Sequence, residues 1–176
     1  MGGPATEAAF ERAPHVVQAR LHNTRVHANP LEPRSINAQY DTARDHFTIW
    51  GGTQHAFLLR DCLAEHAFHI SPAQIDIVAG DLGGSFGLKD TIAPEFAVMP
   101  WAARRLGRPV KWTATRSEMI VADNHGRDLV SEAALAFDDV GRFLAVRTDN
   151  LNDHGAHIEI FGTASALVNI GGLVGP

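Results

Sequence analysis

The sequence predicts an α+β fold, in which mixed and antiparallel sheets pack against helices. Three observations carry this prediction. Alternating apolar and polar residues, typical of half-buried strands, occur near both ends of the chain. Two stretches with helical apolar spacing lie between them, and glycine- and proline-containing turns separate the segments. Strands and helices in this irregular order are typical of the α+β class.

Composition indicates one globular domain. The chain has 176 residues, 45% hydrophobic and 20% charged, which is enough to bury a core. A net charge of -5 and a pI near 6.0 argue against a nucleic-acid partner, which would favour clustered basic residues. No apolar run approaches the roughly 20 residues that span a bilayer, and the first residues do not resemble a secretory signal. We therefore expect a cytoplasmic protein.

Cysteine and histidine usage limits the metal chemistry. The single cysteine, Cys62, excludes an internal disulfide and cannot hold an iron–sulfur cluster, which takes about four cysteine ligands. We interpret Cys62 as a small buried apolar residue. The ten histidines show no zinc-like spacing, so we predict no metal held by protein ligands.

The first third of the chain predicts strands after an irregular lead-in. Residues 1–15 are small, charged and unpatterned, so we predict a disordered lead-in to a domain spanning 16–176. Alternation predicts strands at 16–26, 35–40 and 47–50. Pro30 and Pro33 indicate an extended connection between the first two, because proline biases its predecessor away from helix.

The middle of the chain predicts two helices around a short strand. Thr53 is the predicted N-cap of a helix to about Ala67, which places Gln54 in the first turn. A strand is predicted at 75–79. The second helix, 94–106, is expected to be kinked or divided at Pro100.

The last third predicts a strand at 110–113, a short helix or turn at 115–121, and a hairpin of 129–137 with 142–151.

A glycine-rich loop follows the strand at 75–79. Residues 83–89 read Gly-Gly-Ser-Phe-Gly-Leu-Lys, and successive amides of such a loop can bind an anion. The spacing fits neither the P-loop, which needs Gly-Lys-Ser/Thr, nor the dinucleotide fingerprint, which needs Gly-x-Gly-x-x-Gly. A tight turn without a ligand is the alternative interpretation.

The order of motifs resembles the first molybdopterin-binding domain of the molybdenum hydroxylases, the family of xanthine dehydrogenase, aldehyde oxidase and the aerobic carbon monoxide dehydrogenase large subunit. The resemblance covers about residues 16–176. It rests on six segments: 27–33 (His-x-x-x-x-Glu-Pro), 50–54 (Trp-Gly-Gly-Thr-Gln), 83–89, 106–112 (Leu-Gly-Arg-Pro-Val-Lys-Trp), 115–118 (Thr-Arg-Ser-Glu) and 153–156 (Asp-His-Gly-Ala). Each is weak alone, but their order and spacing together are specific.

The resemblance implies roles for five residues. Gln54 matches the family glutamine that donates to an oxo ligand of molybdenum, although capping its own helix is an equally simple interpretation from the sequence alone. Phe86 and Gly87 match the segment that approaches the metal, with Gly84 and Ser85 shaping the loop. The alternative for Phe86 is an ordinary core side chain.

Other polar residues are expected to carry structure. We predict that Glu32 organises a loop rather than acting as a base. Asp90 falls where some relatives place an acidic residue beside the substrate pocket, but its shorter reach argues against that role. Arg116 and Glu118 are expected to pair with different neighbours.

The resemblance also implies the cofactor, reaction and partners. It implies a molybdenum-molybdopterin cofactor, in the cytosine dinucleotide form typical of bacterial relatives, and oxidation of an aldehyde, a heterocycle or carbon monoxide with water-derived oxygen. The expected partners are the remaining large subunit, an FAD-binding medium subunit and a 2Fe–2S small subunit. The family's catalytic glutamate and a further metal-site loop fall past Pro176, so no catalytic residue is predicted here and the fragment is expected to be inactive alone.

Two functions from other classes remain open at this point. One is a non-catalytic binding or assembly module of the same fold. The other is an enzyme that binds a nucleotide or phosphate with the glycine loop.

Overall fold

The computed structural model describes residues 3–155. In chain order its elements are α1 (Pro4–Arg12), β1 (His15–Asn23), β2 (Val26–His27), β3 (Ser35–Asp41), β4 (His46–Gly51), α2 (Ala56–Cys62), a π-helix (Leu63–Phe68), a 3-10 turn (Pro72–Gln74), β5 (Ile75–Val78), a second 3-10 turn (Leu88–Asp90), α3 (Glu95–Leu106), β6 (Val110–Thr113), α4 (Arg116–Ala122), β7 (His125–Gly126), β8 (Leu129–Phe137) and β9 (Phe143–Asn152). These elements confirm the α+β class. The predicted motif residue Ala156 lies outside the described residues.

The chain forms two compact units. One comprises residues 27–124, and the other comprises the described parts of residues 1–26 and 125–176.

The unit that comprises the described parts of residues 1–26 and 125–176 is built on an antiparallel sheet in the order β1-β8-β9. Val17 lies opposite Leu135, which in turn lies opposite Val146. The β8–β9 turn is closed by the Asp138 carboxylate, which accepts from the amides of Val140 at 3.0 Å and Arg142 at 2.8 Å. This arrangement confirms the predicted hairpin.

Helix α1 forms where the sequence predicts a disordered lead-in. Its Glu7 pairs with Arg147 of β9 at 2.8 Å, and the Arg147 guanidinium lies 4.7 Å from the centre of the Phe10 ring. These partners are far apart in the chain, so local sequence pattern gave no signal of the contacts that stabilise this helix.

The unit of residues 27–124 is built on a four-stranded sheet in the order β5-β4-β3-β6. Strands β4 and β5 are parallel, and the other neighbours are antiparallel. Alternate residues of the strands face a core that also takes side chains from the helices: Ile36, Phe47, Ile49, Leu59, Leu63, Ala64, Ile75, Ala93 and Phe96. Gly51 lets α3 approach the sheet, because a Cβ there would lie 2.8 Å from Phe96 Cε1.

Helix α2 begins later than predicted. Its N-cap is His55, not Thr53, whose hydroxyl accepts from the His55 amide at 3.2 Å. Gln54 therefore precedes the helix, and its placement in the first turn was wrong. The reason is tertiary, since the Gln54 amide donates to the carbonyl of Lys89 at 3.0 Å.

Helix α3 runs without interruption from Glu95 to Leu106 and ends at Gly107, with φ of 63°. The predicted division into two pieces at Pro100 does not occur. Pro100 is fully buried, and packing of its ring offsets the missing backbone hydrogen bond.

We predict that Phe47→Ala costs about 4 kcal/mol in the free energy of unfolding, because it leaves a cavity beneath the sheet. The Phe47 ring is fully buried and lies 4.7 Å from Tyr40 and 4.8 Å from Phe68, centre to centre. Urea unfolding measures the change. The control is Phe57→Ala, whose side chain is 75% exposed and which should cost less than about 1 kcal/mol. Equal losses in the two variants would contradict the proposed core.

Candidate functional site

The glycine loop at 83–89 is a tight left-handed turn. Gly84 has φ of 100°, Phe86 of 55° and Gly87 of 88°. The turn is closed by the Leu88 amide, which donates to the Ser85 carbonyl at 3.0 Å. Glycine adopts positive φ without the steric cost that other residues meet, so the glycines at 84 and 87 match the backbone here.

Phe86 is not a core residue. Its side chain is 79% exposed, although its backbone is in the left-handed region that a phenylalanine rarely adopts. A large exposed aromatic at a strained position is characteristic of functional loops. Among the described residues, Phe86 therefore does not pack in a core.

The loop presents a run of hydrogen-bond donors. Within residues 3–155, no acceptor is paired with the backbone amides of residues 84–87. The space beside Gly87 is open, because a Cβ there would meet nothing within 4 Å. Successive unpaired amides around a glycine turn suit an electron-rich or anionic ligand.

Gln54 contacts this loop through its side chain. The Ser85 hydroxyl donates to Gln54 Oε1 and accepts from the Lys89 amide at 3.0 Å. The backbone amide of Gln54 donates a hydrogen bond to the Lys89 carbonyl. Two predicted site segments 31 residues apart are therefore joined by two hydrogen bonds, and the third fixes the Ser85 hydroxyl within the loop.

A buried ion pair anchors the loop to the segment before β3. The Lys89 side chain is 1% exposed, and its Nζ lies 2.5 Å from Glu32 Oε2. The same carboxylate oxygen accepts from the Gly83 amide at 2.7 Å, and the Glu32 amide donates to the Gly83 carbonyl at 3.1 Å. Glu32 therefore organises the loop, as predicted. The hydrogen bond from Lys89, supported by that from Gly83, holds the pKa of Glu32 below its ordinary value although partial burial opposes this.

Sequence reasoning missed two residues near the site. It did not identify Lys89 as the buried partner of Glu32, and it did not consider His55, whose Nε2 lies 2.6 Å from Asp90 Oδ1. Asp90 thus faces a histidine beside Gln54. A lysine that follows a glycine loop gives no signal by itself of which carboxylate it will meet.

A second buried polar cluster lies around Asp123, whose side chain is 1% exposed. Its Oδ1 lies 2.6 Å from Arg34 Nε, and its Oδ2 lies 3.4 Å from His27 Nε2. Arg34 also pairs with Glu95 at 2.8 Å. These contacts join the segment before β3 to the start of α3 and the end of α4, so we interpret the cluster as structural.

Arg116 and Glu118 have different partners, as predicted. Arg116 donates to the Asn29 side chain at 2.9 Å and to the Leu31 carbonyl at 3.0 Å. Glu118 accepts from the amide of Thr115, at the N-terminus of its own helix.

A cleft of about 300 Å³ lies beside the loop without including its candidate residues. It is lined by residues of the sheet and of the segments before β3 and after β5, among them Glu32, Trp50, Asp81 and Lys111. Of the candidate residues, Gln54, Phe86 and Gly87 are exposed, and Gly84 and Ser85 are half-buried.

The fold and the donor-rich loop define a cofactor-binding domain. The chain matches the molybdopterin cofactor-binding domain family over residues 2–173 and belongs to it. It is homologous to large subunits of molybdenum hydroxylases.

Two curated relatives illustrate the homology. The chain is 37% identical over 161 residues to the 6-hydroxypseudooxynicotine dehydrogenase complex subunit gamma of Paenarthrobacter nicotinovorans, covering 92% of this chain and 20% of that protein. It is 34% identical over 152 residues to the carbon monoxide dehydrogenase large chain of Hydrogenophaga pseudoflava, covering 86% and 19%. The chain thus spans about a fifth of the length of these relatives.

Two solved structures have a fold similar to that of this chain. Quinoline 2-oxidoreductase from Pseudomonas putida 86 superposes with a TM-score of 0.82 at 33% identity, covering 87% of this chain and 19% of that one. The carbon monoxide dehydrogenase of Oligotropha carboxidovorans gives a TM-score of 0.80 at 32% identity, covering 86% and 19%.

The residues present fit molybdopterin. The group carries electron-rich oxygen and sulfur atoms, which require donors rather than acceptors. The loop supplies amide donors at 84–87, and the Ser85 contact leaves the Gln54 side-chain NH₂ without an acceptor among the described residues. Lys89, the full positive charge behind the loop, is already neutralised by Glu32.

We predict that Glu32 stabilises the fold only when it is ionised. Its folded pKa is depressed, so its contribution is fully present above the unfolded value near 4.5 and is lost as pH falls through the folded value. Glu32→Gln should cost about 2 kcal/mol at pH 7. Urea unfolding between pH 3 and pH 7 should show the gap between wild type and variant closing at low pH. A gap that does not change with pH would contradict the assignment.

We predict that Gly83→Ala costs about 2 kcal/mol, because a Cβ there would lie 2.5 Å from Glu32 Cβ and would push the carboxylate off the loop. Gly80→Ala is the matched control, since a Cβ at that position meets nothing within 4 Å. Urea unfolding of both variants tests the difference. Similar stabilities for the two variants would show that the close approach is not required.

Proposed function

We propose that this chain forms part of the molybdopterin site in the large subunit of a molybdenum-containing hydroxylase. The cofactor contacts are Gln54 and residues 84–87. The observation that carries the proposal is the contact between Gln54 and Ser85, which brings two separate cofactor segments together as one set of donors.

Each residue contributes a distinct function in this site. Gln54 donates a hydrogen bond from its side-chain NH₂ to an electron-rich oxygen of the cofactor. The amides at 86 and 87 orient the dithiolene end, and Gly84 gives the loop its turn. The exposed Phe86 ring forms an apolar wall that limits water around the cofactor. When bound, the cofactor supplies the redox chemistry that oxidises an aldehyde, a heterocycle or carbon monoxide with water-derived oxygen.

The proposal gives the described residues a binding role and no catalytic one. The general base and the remaining metal-site loop belong to the rest of the large subunit, so this chain alone is not expected to turn over substrate. An FAD-binding medium subunit and a 2Fe–2S small subunit accept the electrons. Support comes from the relatives, one of which is a subunit of a named dehydrogenase complex. The proposal extends to the cytosine dinucleotide form of the cofactor and to a cytoplasmic location.

Among the described residues, no helix is long and apolar enough to cross a membrane.

We predict that Gln54→Ala, made in the complete large subunit assembled with its partners, lowers molybdenum and pterin content about tenfold, since a charge-assisted hydrogen bond is lost. Metal analysis and pterin fluorescence of the purified complex measure the loss. Gln39→Ala is the control, because Gln39 lies exposed on β3, away from the loop.

Full retention of the cofactor by Gln54→Ala would overturn this assignment of the site. Nucleotide binding without molybdopterin, abolished by Gly87→Val, would instead favour a nucleotide-binding enzyme.

A further inference from the structure

A relay of hydrogen bonds surrounds the Ser85 hydroxyl. Its oxygen accepts from the Lys89 amide at 3.0 Å. Its proton is directed at Gln54 Oε1. The backbone amide of Gln54 donates to the Lys89 carbonyl at 3.0 Å. This bond fixes the backbone from which the glutamine side chain extends.

This relay determines which end of the Gln54 carboxamide is exposed. A carboxamide has an acceptor oxygen and a donor nitrogen of similar shape, and rotation about its last side-chain bond exchanges them. Because the hydroxyl proton of Ser85 occupies Oε1, the Nε2 group is left to face outward. In the other orientation Nε2 would face the hydroxyl oxygen, and the Ser85 proton would lose its acceptor, Gln54 Oε1.

We propose that Ser85 is a positioning residue that holds the Gln54 carboxamide with its NH₂ toward the cofactor. The inference rests on the proposed function, in which that NH₂ meets an electron-rich oxygen. It goes beyond the role of shaping the loop, which the backbone alone could perform. Glycine at this position would keep the turn and lose the hydroxyl.

These hydrogen bonds are anchored by Lys89 and its ion pair with Glu32. Lys89 is buried, and its ammonium is held by Glu32. The amide that donates to Ser85 therefore lies at a fixed position. Donation into the hydroxyl oxygen also polarises its O–H bond and strengthens the bond to Gln54.

The first experiment uses the full 176-residue chain without cofactor. Nitrogen-15 relaxation of the glutamine side chains reports how rigidly each NH₂ is held. Gln74 is the ordered reference, because its Nε2 donates to the Asp45 carbonyl at 3.0 Å and carboxylate at 2.9 Å. Gln39 is the exposed reference.

In the wild type, we expect the side-chain NH₂ of Gln54 to be as rigid as that of Gln74. Ser85→Ala should make it nearly as mobile as that of Gln39, and Ser85→Thr should restore its rigidity. Ser85→Thr keeps the hydroxyl and is the conservative rescue. A Gln54 side chain equally rigid in wild type and Ser85→Ala would overturn the inference without touching the proposed function.

The second experiment uses the assembled large subunit with its partners. Ser85→Ala should raise the rate of molybdenum release about fivefold, the effect of one ordinary hydrogen bond, with Ser85→Thr close to wild type. Gln54→Glu keeps the acceptor for Ser85 but offers no donor, so it should lose as much cofactor as Gln54→Ala. This variant tests the donor requirement even if Ser85→Ala does not fold.

The results of these experiments distinguish the proposed cofactor site from the positioning role of Ser85. If Gln54→Ala retains its cofactor, the proposed function fails whatever Ser85 does. If Gln54→Ala loses cofactor while Ser85→Ala releases molybdenum at the wild-type rate, the site stands and the positioning role of Ser85 is wrong. Retention by Gln54→Glu would also contradict the orientation argument.

Discussion

The ion pair between Lys89 and Glu32 is the constraint on which the loop depends. A lysine ammonium that is 1% exposed is stable only with a partner, and Glu32 supplies one at 2.5 Å while also accepting from the Gly83 amide. One carboxylate thus ties a buried side chain and the start of the loop to the segment before β3. With Lys89 fixed, its amide and carbonyl become fixed points for Ser85 and Gln54. The exposed residues of the loop are therefore hydrogen-bonded to a backbone that the buried ion pair anchors.

The donors that the candidate site offers to a ligand are neutral. The ammonium of Lys89 is paired with Glu32, and the carboxylate of Asp90 lies against His55. What remains for a ligand are backbone amides and the carboxamide of Gln54. Dipoles held in advance need little reorganisation when charge on the ligand changes, so such donors suit a group whose electron density shifts during its reaction. Molybdopterin is such a group, which connects the geometry of this loop with the family to which the chain belongs.

Much of the fold could be predicted from the sequence, because many elements obey local rules. The β8–β9 hairpin follows from alternation around an Asp-Asp-Val-Gly turn, and α3 ends at Gly107 as its C-terminal glycine indicates. The failures have long-range causes. Helix α1 depends on Arg147, the start of α2 depends on the Lys89 carbonyl, and Pro100 continues its helix because the core buries it. Local pattern contains no information about any of these partners.

By itself the sequence determined the class of fold, the loop with its glycines at 84 and 87, and the residues of the candidate site. These follow from backbone geometry and motif order, which are properties of short segments. Only the tertiary structure decided that Gln54 and Ser85 meet, that Phe86 is exposed rather than buried, and that Lys89 finds Glu32. The physical reason is that hydrogen bonds and ion pairs act over about 3 Å in space. Contacts between residues 31 or 57 apart in the chain exist only after the sheet and loops bring those residues together.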